Sequence, residues 1–588
     1  MKRETMKTRL VLSMLSMGAV AGMLGGSIAR GEEAPAKPKA DVIFTHGNVY
    51  TGVAVVSSFK TTKRAEAIAV RDGRFEEVGD LIEVMKLRGP QTQVIDLGGK
   101  FVMPGFNDAH LHLAAAGFLE LNVDMKGVKT LDEFRERLRA KVETAAPGDW
   151  ILGGGWDETL WPVKTPPTRF DLDEVAEGHP VFLSRVDGHS AVANARALQM
   201  ASITIASRDP KGGKIERDNS SQPNGLLRDT AMKLVQDVIP PPTHDKRRQA
   251  IESSLRELAK WGITSAQWSV TTPDDASLWD DFQVLQEIEK DGKLTARVSA
   301  WLPFDDTLGQ LEEKRKSHVD GDEMLSTGML KAFLDGSLGS HSAALLEPYA
   351  DDPKNSGLLR YDQAKLDGMA KERMLAGFQL GFHAIGDKAV QMALDAFAVA
   401  EKEAKAKKVK AANGGEDYRP RIEHAQVTTP MQILKFKDLK VVASMQPAHL
   451  ISDMPWAEAR LGPKRAAYSY AWAEFLKKGV PLAFGSDYPF DQLNPFRGLY
   501  AATTRKSENG KQEYHPEEKI TIDQAIAAYT TGSAFAEFAE KEKGLIVAGM
   551  LADFVVLDRD PTAVDAQKLL GTRVLRTVVG GRTVWEGK

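Results

Sequence analysis

Two histidines, His110 and His112, are the residues whose types and spacing first suggest chemistry in this chain. Residues 100–103, with no charge after Lys100, predict a strand just before them, and Pro104-Gly105 interrupts that pattern. Residues two apart in an extended segment point to the same side, so both imidazoles would face one point and could hold a divalent metal. A single His-x-His pair is more often solvent-facing. The interpretation therefore depends on polar residues further along the chain.

Length and composition limit the classes of protein that this chain can be. Its 588 residues exceed one ordinary core, so we expect two or more domains. With 42% hydrophobic residues, 27% charged residues and a net charge of −4, it has no basic stripe, and we expect a small-molecule substrate rather than nucleic acid. The absence of cysteine excludes disulfides, thiolate metal ligands and a cysteine nucleophile. The composition leaves open whether the protein forms a homodimer.

The N-terminus has the pattern of a targeting segment. Residues 2–9 contain four basic side chains, residues 10–24 are apolar, and Ser27-Ile28-Ala29 offers a small-x-small cleavage site. A membrane anchor is the alternative, but the apolar run is short for a span. We therefore expect a Sec-type signal peptide at 1–29, a flexible leader at 30–40, and a periplasmic or secreted mature chain with no membrane attachment.

The remaining chain predicts an α/β protein. Strand-like and helix-like runs alternate across 104–539, which indicates a (β/α)₈ TIM-like barrel. Short strand patterns at 41–103 and 540–588 predict a small β-sandwich formed from both chain termini, with two separate β blocks as the alternative. Residues from about 115 to 242 are too many for one strand–helix connection, so we expect an inserted subdomain there.

Polar residues recur where the predicted barrel strands end, which is where chemistry occurs in such barrels. After His110 and His112, these positions supply Lys331, His383, His424 and Asp487. Neutral imidazoles and a carboxylate suit zinc and leave room for water, whose proton the carboxylate could accept. Lys331 does not fit as an ammonium. It is neutral, carbamylated to a bridging carboxylate, or a structural or substrate-facing charge.

Six motifs extend this pattern over about 41–587. They are Pro-Gly-Phe-x-Asp-x-His-x-His at 104–112, Asp-Gly-His-Ser at 187–190 with Asn194, Asp-Gly-Ser-Leu-Gly-Ser at 335–340, His-Ala-Ile-Gly-Asp at 383–387, Gly-Ser-Asp-Tyr-Pro at 485–489, and Gly-Leu-Ile at 544–546 leading to Gly-Met-Leu-Ala-Asp at 549–553. Together they resemble the metal-dependent amidohydrolase superfamily, and within it amidohydrolase family 3, which contains N-substituted formamide deformylase.

The resemblance implies site residues and a reaction. It makes His110, His112, Lys331, His383 and His424 metal ligands, makes Asp487 both a ligand and the general base, and implies one or two Zn²⁺ ions per chain. The implied reaction is hydrolysis of an amide, N-acyl or N-formyl C–N bond by metal-activated water. A deaminase, an ester or lactone hydrolase, an isomerase and a non-catalytic metal-binding protein are alternatives on the same scaffold.

Two positions depart from the family pattern. Asn107 stands where an aliphatic residue is usual, and His341 stands where relatives commonly carry Arg. His341 is therefore either a substrate-binding residue that changes specificity or a surface loop residue. The full set of candidate substrate-binding residues, each of which a structural role would also explain, is Trp156, His189, Asp335, His341, Gln446 and His449.

Overall fold

The computed structural model describes residues 39–54, 64–186, 189–270, 277–317, 323–411 and 414–587. The predicted signal peptide lies outside these residues, so export stays a prediction. Within the described part, no helix combines the length and apolar character that crossing a bilayer requires.

An eight-stranded parallel sheet forms the centre of the molecule. Its strands pair in chain order, and the long connections between them carry the helices that parallel pairing requires. The predicted (β/α)₈ barrel is confirmed. The strands are β1 (Phe106–Leu111), β2 (Ile263–Trp268), β3 (Arg297–Pro303), β4 (Leu325–Phe333), β5 (Gln379–Ala384), β6 (Arg421–His424), β7 (Val442–Met445) and β8 (Leu482–Phe484).

The barrel closes where the segment after β8 meets β1. The Asp487 amide donates to the His110 carbonyl at 2.7 Å, and the His112 amide donates to the Tyr488 carbonyl at 2.9 Å. Gly485 is needed at this seam, because a Cβ there would lie 2.5 Å from the His110 nitrogen. Closure therefore brings two of the sequence motifs into direct contact.

Helices cover the outside of the barrel, each with an apolar stripe against the strands. In the helix His244–Lys260, the Thr243 side chain caps the first turn by accepting from the Lys246 amide, and Ala250, Ile251, Leu255 and Leu258 are buried. The other helices around the barrel are Leu113–Leu121, Leu278–Lys290, Leu308–Ser317, Gln363–Leu375, Asp387–Ala406, Pro430–Asp438, Pro447–Asp453, Ala457–Leu461, Pro463–Ala466, Trp472–Lys478, Pro495–Thr504, Ile522–Ala527 and Ser533–Ala536.

Two further sheets pack together near the chain ends: a four-stranded sheet from the N-terminal part, and a six-stranded sheet that combines strands from both ends of the chain. The four-stranded sheet contains Val42–Thr45, Ala67–Arg71, Arg74–Gly79 and Gln93–Asp96. The six-stranded sheet contains Asn48–Tyr50, Arg64–Ala65, Phe101–Pro104, Phe554–Leu557, Val574–Val579 and Arg582–Glu586. Their facing side chains share one core, in which the rings of Phe44 and Phe554 lie 4.9 Å apart. The predicted sandwich of both termini is confirmed.

The insertion after β1 forms a six-stranded sheet of its own. Its core includes Phe134, Trp156 and Trp161 on one face and Phe182 and Leu227 on the other. The strands are Val123–Asp124, Ile151–Trp156, Val181–Arg185, Ser190–Ala193, Gly213–Arg217 and Pro223–Asp229, and the accompanying helices are Leu131–Val142, Arg169–Asp173, Ala195–Met200 and Lys233–Gln236.

A buried ion pair joins the sandwich to the barrel. Arg297, at the start of β3, donates from Nε to Asp553 Oδ2 at 2.6 Å and from Nη2 to Asp553 Oδ1 at 3.0 Å. Each side chain is 5% exposed, and the Gly580 amide also donates to Asp553 at 2.8 Å. This contact gives a structural role to the aspartate that ends the motif at 549–553.

We expect Asp553→Ala to destabilise the fold strongly, because it leaves the Arg297 guanidinium buried without a counterion. Removing one partner of a buried pair costs about 3–5 kcal/mol. The midpoint of thermal unfolding, followed by circular dichroism, measures the loss. Asp237→Ala is the control, since its pair with Lys233 is exposed and should contribute little. Equal shifts for the two variants would contradict the assignment.

Candidate metal centre

Three candidate ligands meet at the barrel seam. His110 lies near the end of β1, His112 directly follows β1, and Asp487 follows β8. His112 Nε2 lies 2.9 Å from Asp487 Oδ1, and His110 Nε2 lies 3.7 Å from the same oxygen. All three residues are buried, and one ligand atom from each lies within 4.8 Å of the others. Such a cluster of donor atoms can hold one metal ion.

A second group shares the Asp487 carboxylate. It adds His424 at the end of β6 and His449 on the helix Pro447–Asp453, again with ligand atoms within 4.8 Å of one another. His449 Nε2 lies 3.5 Å from Asp487 Oδ2. Because Asp487 belongs to both groups, its two carboxylate oxygens could serve one ion or two adjacent ions.

Hydrogen bonds orient the imidazoles. His112 Nδ1 lies 3.2 Å from the Ser269 carbonyl oxygen, and His424 Nδ1 lies 2.8 Å from Gln446 Oε1. These oxygens can only accept, so each Nδ1 carries a proton and each Nε2 would be the atom offered to a metal. His112 Nε2 lies within hydrogen-bond distance of Asp487 Oδ1, at 2.9 Å. Neutral imidazoles and a carboxylate fit a divalent cation such as zinc.

Burial and neighbouring charge keep these groups in their metal-binding protonation states. Burial lowers the pKa of both His110 and His424 well below the usual range. The nearby Lys331 lowers the pKa of His110 further, and the nearby His383 does so for His424. Burial acts to raise the pKa of Asp487, but the hydrogen bond from His112 and the nearby histidine charges outweigh it, so this pKa is lowered. At neutral pH His110 and His424 are therefore neutral and Asp487 is ionised.

Two candidate ligands have strained backbone. His424 has φ 74° and Asp487 has φ 59°, both in the left-handed region. This conformation costs a non-glycine residue roughly 1–2 kcal/mol. The strain turns each side chain inward directly after a barrel strand, as is common at functional sites.

Lys331 and His383 border this centre. Lys331 on β4 is 2% exposed, its Nζ lies 3.0 Å from His110 Nε2, and burial lowers its pKa to about 8. His383 on β5 lies outside both ligand groups, with Nε2 3.1 Å from the Gly336 carbonyl oxygen. Its ring nevertheless lies 4.5 Å from that of His424. The structure thus gathers all six predicted ligands at one end of the barrel.

A cavity of about 470 Å³ lies beside these residues. Its wall is largely apolar, with Phe333, Leu338, Ile385, Trp456 and Phe490 among its side chains. Of the six candidate substrate-binding residues, Asp335 and His449 line it. The cavity is large enough for a small molecule and lies against the ligand groups.

Two of the candidates support the site by hydrogen bonding. The Asp335 carboxylate accepts from the amides of Ala344, Ile385 and Gly386 at 2.8 to 3.0 Å, which binds the loop after β4 to the loop after β5. Gln446 is buried and holds the His424 ring. The Asp335 carboxylate is thus engaged by backbone amides, whereas Gln446 Nε2 has no hydrogen-bond partner among the described residues.

Trp156, His189 and His341, also predicted to bind substrate, do not line the cavity. Trp156 is fully buried in the core of the insertion. His189 is exposed and lies 3.0 Å from Asp229. His341 Nε2 lies 3.0 Å from Asp351 Oδ1, so it supports its own loop. Sequence spacing could not reveal these contacts because they depend on how the insertion and the loop after β4 pack.

Sequence reasoning missed several residues of the site. Arg421 and Glu423 on β6 are fully buried beside His110, and Trp301 on β3 packs against both His110 and Lys331. One feature of the sequence indicated that Arg421 and Glu423 belong to the site. Arg421-Ile422-Glu423-His424 alternates charged residues within a strand predicted to lie in the barrel, and a buried charge requires a partner.

Comparison with known proteins agrees with this geometry. A profile described as the amidohydrolase family matches residues 93–585. Protein LONG AFTER FAR-RED 3 of Arabidopsis thaliana is 35% identical over 94% of this chain and 92% of its own. N-substituted formamide deformylase of Arthrobacter pascens is 28% identical over 88% of this chain and 94% of its own.

A solved structure extends the likeness to three dimensions. An uncharacterized metal-dependent hydrolase from Pyrococcus furiosus superposes with a TM-score of 0.71 at 31% identity, covering 89% of this chain and 99% of that one. The matched profile, the barrel and the His and Asp cluster at its strand ends lead to one conclusion: the chain belongs to the amidohydrolase family and is a metal-dependent hydrolase.

Proposed function

We propose that this hydrolase cleaves a C–N bond in a small amide, N-acyl or N-formyl compound, with zinc as its metal. The observation that carries the proposal is the shared carboxylate of Asp487, which faces His110, His112, His424 and His449 at the edge of the cavity. The similarity to N-substituted formamide deformylase supports the bond type. The candidate ligands are histidines and one aspartate, and this set of donors supports zinc as the metal.

The residues of the site would have different roles in such a reaction. His110, His112, His424 and Asp487 would hold the cation, with Lys331 and His383 at its border. A cation there supplies Lewis acidity, which activates water and polarises a carbonyl oxygen. Asp487, ionised at neutral pH, accepts a proton and returns it to the leaving nitrogen. His449, at the cavity wall, is placed to hydrogen-bond the substrate, and the apolar wall accommodates its carbon skeleton.

Turnover of a substrate panel tests the bond type. We expect hydrolysis of N-formyl or N-acyl amines, with release of the free amine. Asp487→Asn should lower kcat by at least about 10²–10⁴, because the amide cannot accept the proton. Activity on esters or lactones alone, or ammonia release from amidines alone, would contradict C–N hydrolysis of amides and favour another chemistry on this scaffold.

Carbamylation of Lys331 is part of the proposal. The pKa of about 8 leaves a reactive fraction of neutral amine near neutral pH, and Nζ lies 3.0 Å from a candidate ligand atom of His110. Reaction of the neutral amine with CO₂ would form an N–C bond, give a carbamate and release one proton. Starting from the ammonium, two protons leave in total, so a cation is replaced by an anion that can bind metal.

We expect Lys331→Ala to lose metal and activity together, because it removes that bridging anion. Bicarbonate or acetate should restore part of both by occupying the vacated space. Metal content and turnover, measured with and without these additives, check the result. Lys405→Ala, on the outer helix Asp387–Ala406, is the control and should respond to neither additive. Retained metal with a raised KM would instead make Lys331 a substrate-facing ammonium.

A further inference from the structure

A column of buried polar side chains crosses the inside of the barrel, from the metal centre towards the C-terminal segment after β8. The polar column consists of His110, Glu423, Arg421, Gln267, Asn107 and Glu537. Its members come from β1, β2, β6 and residue 537, so each is brought there by barrel closure. No role in the reaction proposed above has yet been given to five of them.

At the upper end, two contacts define the state of His110. Glu423 Oε2 lies 3.0 Å from His110 Nδ1, and a carboxylate accepts, so Nδ1 donates. Lys331 Nζ lies 3.0 Å from His110 Nε2, where either an ammonium or a neutral amine can donate to that nitrogen. The Glu423 contact therefore requires the tautomer with the proton on Nδ1, and the Lys331 contact is compatible with it.

Arg421 holds Glu423 in place. Its Nε donates to Glu423 Oε1 at 2.9 Å and its Nη2 to Glu423 Oε2 at 3.3 Å. The same Nη2 donates to the Ala109 carbonyl and to Ser444 Oγ, each at 2.9 Å. Arg421 and Glu423 are both 0% exposed, so each charge depends on the other for compensation. The pair is therefore rigid as well as neutral.

The lower part of the column braces Arg421. Gln267 accepts from Arg421 and donates to Asn107 Oδ1 at 3.3 Å. Asn107 Nδ2 donates to Glu537 Oε1 at 2.6 Å, and Lys543 Nζ lies 2.9 Å from that oxygen. An aliphatic residue at 107 would leave both Gln267 and Glu537 short of a partner. This accounts for the departure of Asn107 from the pattern expected of the family.

We propose that Glu423, clamped by Arg421, is a positioning residue that fixes the tautomer and ring orientation of His110 for metal binding. A carboxylate behind a ligating histidine raises the basicity of the other ring nitrogen and removes the freedom to rotate away. The inference rests on the metal dependence of the proposed function and not on its substrate. Metal affinity therefore tests it even if the C–N assignment fails.

The first test compares Glu423→Gln with Glu401→Gln. An amide offers only one acceptor oxygen, so Arg421 and His110 cannot both keep their bonds. We expect the zinc affinity, measured by competition with a chromogenic chelator, to fall about 10–100-fold. Glu401 is also buried, at 5% exposure, but lies on the helix Asp387–Ala406 outside the column, so its variant should bind zinc normally. An unchanged affinity in folded Glu423→Gln would overturn the proposal.

A second test needs no change at Glu423, which covers the case in which that variant fails to fold. Nitrogen-15 spectra of the metal-free full-length chain with labelled histidine report which ring nitrogen carries the proton, and His110→Asn assigns the signal. We expect a protonated Nδ1 and an unprotonated Nε2 for His110 at pH 8. The opposite tautomer would overturn the proposal.

Discussion

The hydrogen bond of 2.7 Å from the Asp487 amide to the His110 carbonyl is the contact on which the site depends. It joins the first and last segments of the barrel, and without it the ligands at the start and end of the sheet would not meet. Gly485 permits the approach because it lacks a Cβ, and Asp108 accepts from the amides of His110 and Ser486 at the same place. The contacts that close the barrel are thus also the contacts that bring the candidate metal ligands together.

Closure requires charged groups to be buried, and the chain pairs two of them with arginines: Glu423 faces Arg421, and Asp553 faces Arg297. Asp487 lies against His112 instead. Within the described residues Asp108 forms no ion pair, and burial raises its pKa to about 7. An uncompensated charge in such a place would cost several kcal/mol, so these pairings restrict which substitutions the barrel tolerates.

Local pattern was enough to predict the barrel and the candidate ligands that meet at one end of it. Strand–helix alternation indicated the parallel sheet, and the C-terminal strand ends indicated His110, His112, His424 and Asp487, because parallel strands present those ends on one side. The candidates that do not line the cavity are Trp156, His189 and His341. Their surroundings are set by the packing of the insertion and of the loop after β4, which no periodicity encodes.

The supporting residues were harder to predict for a different physical reason. Glu423 precedes His424 in the chain but serves His110, because adjacent residues on a strand point to opposite sides while closure brings β6 towards β1. Likewise, the role of Asn107 follows only from its hydrogen bonds with Gln267 and Glu537. Pairings between distant strands, rather than residue types, were the missing information.

The central claim is that His110 and His112 hold a metal at the barrel seam. Its most direct measurement is the metal content of the purified chain beside that of the double variant His110→Ala/His112→Ala, with circular dichroism to verify folding. We expect one or two bound divalent ions, zinc foremost, in the unmodified chain and their loss from the folded double variant. A folded double variant that retains its full metal content would contradict it.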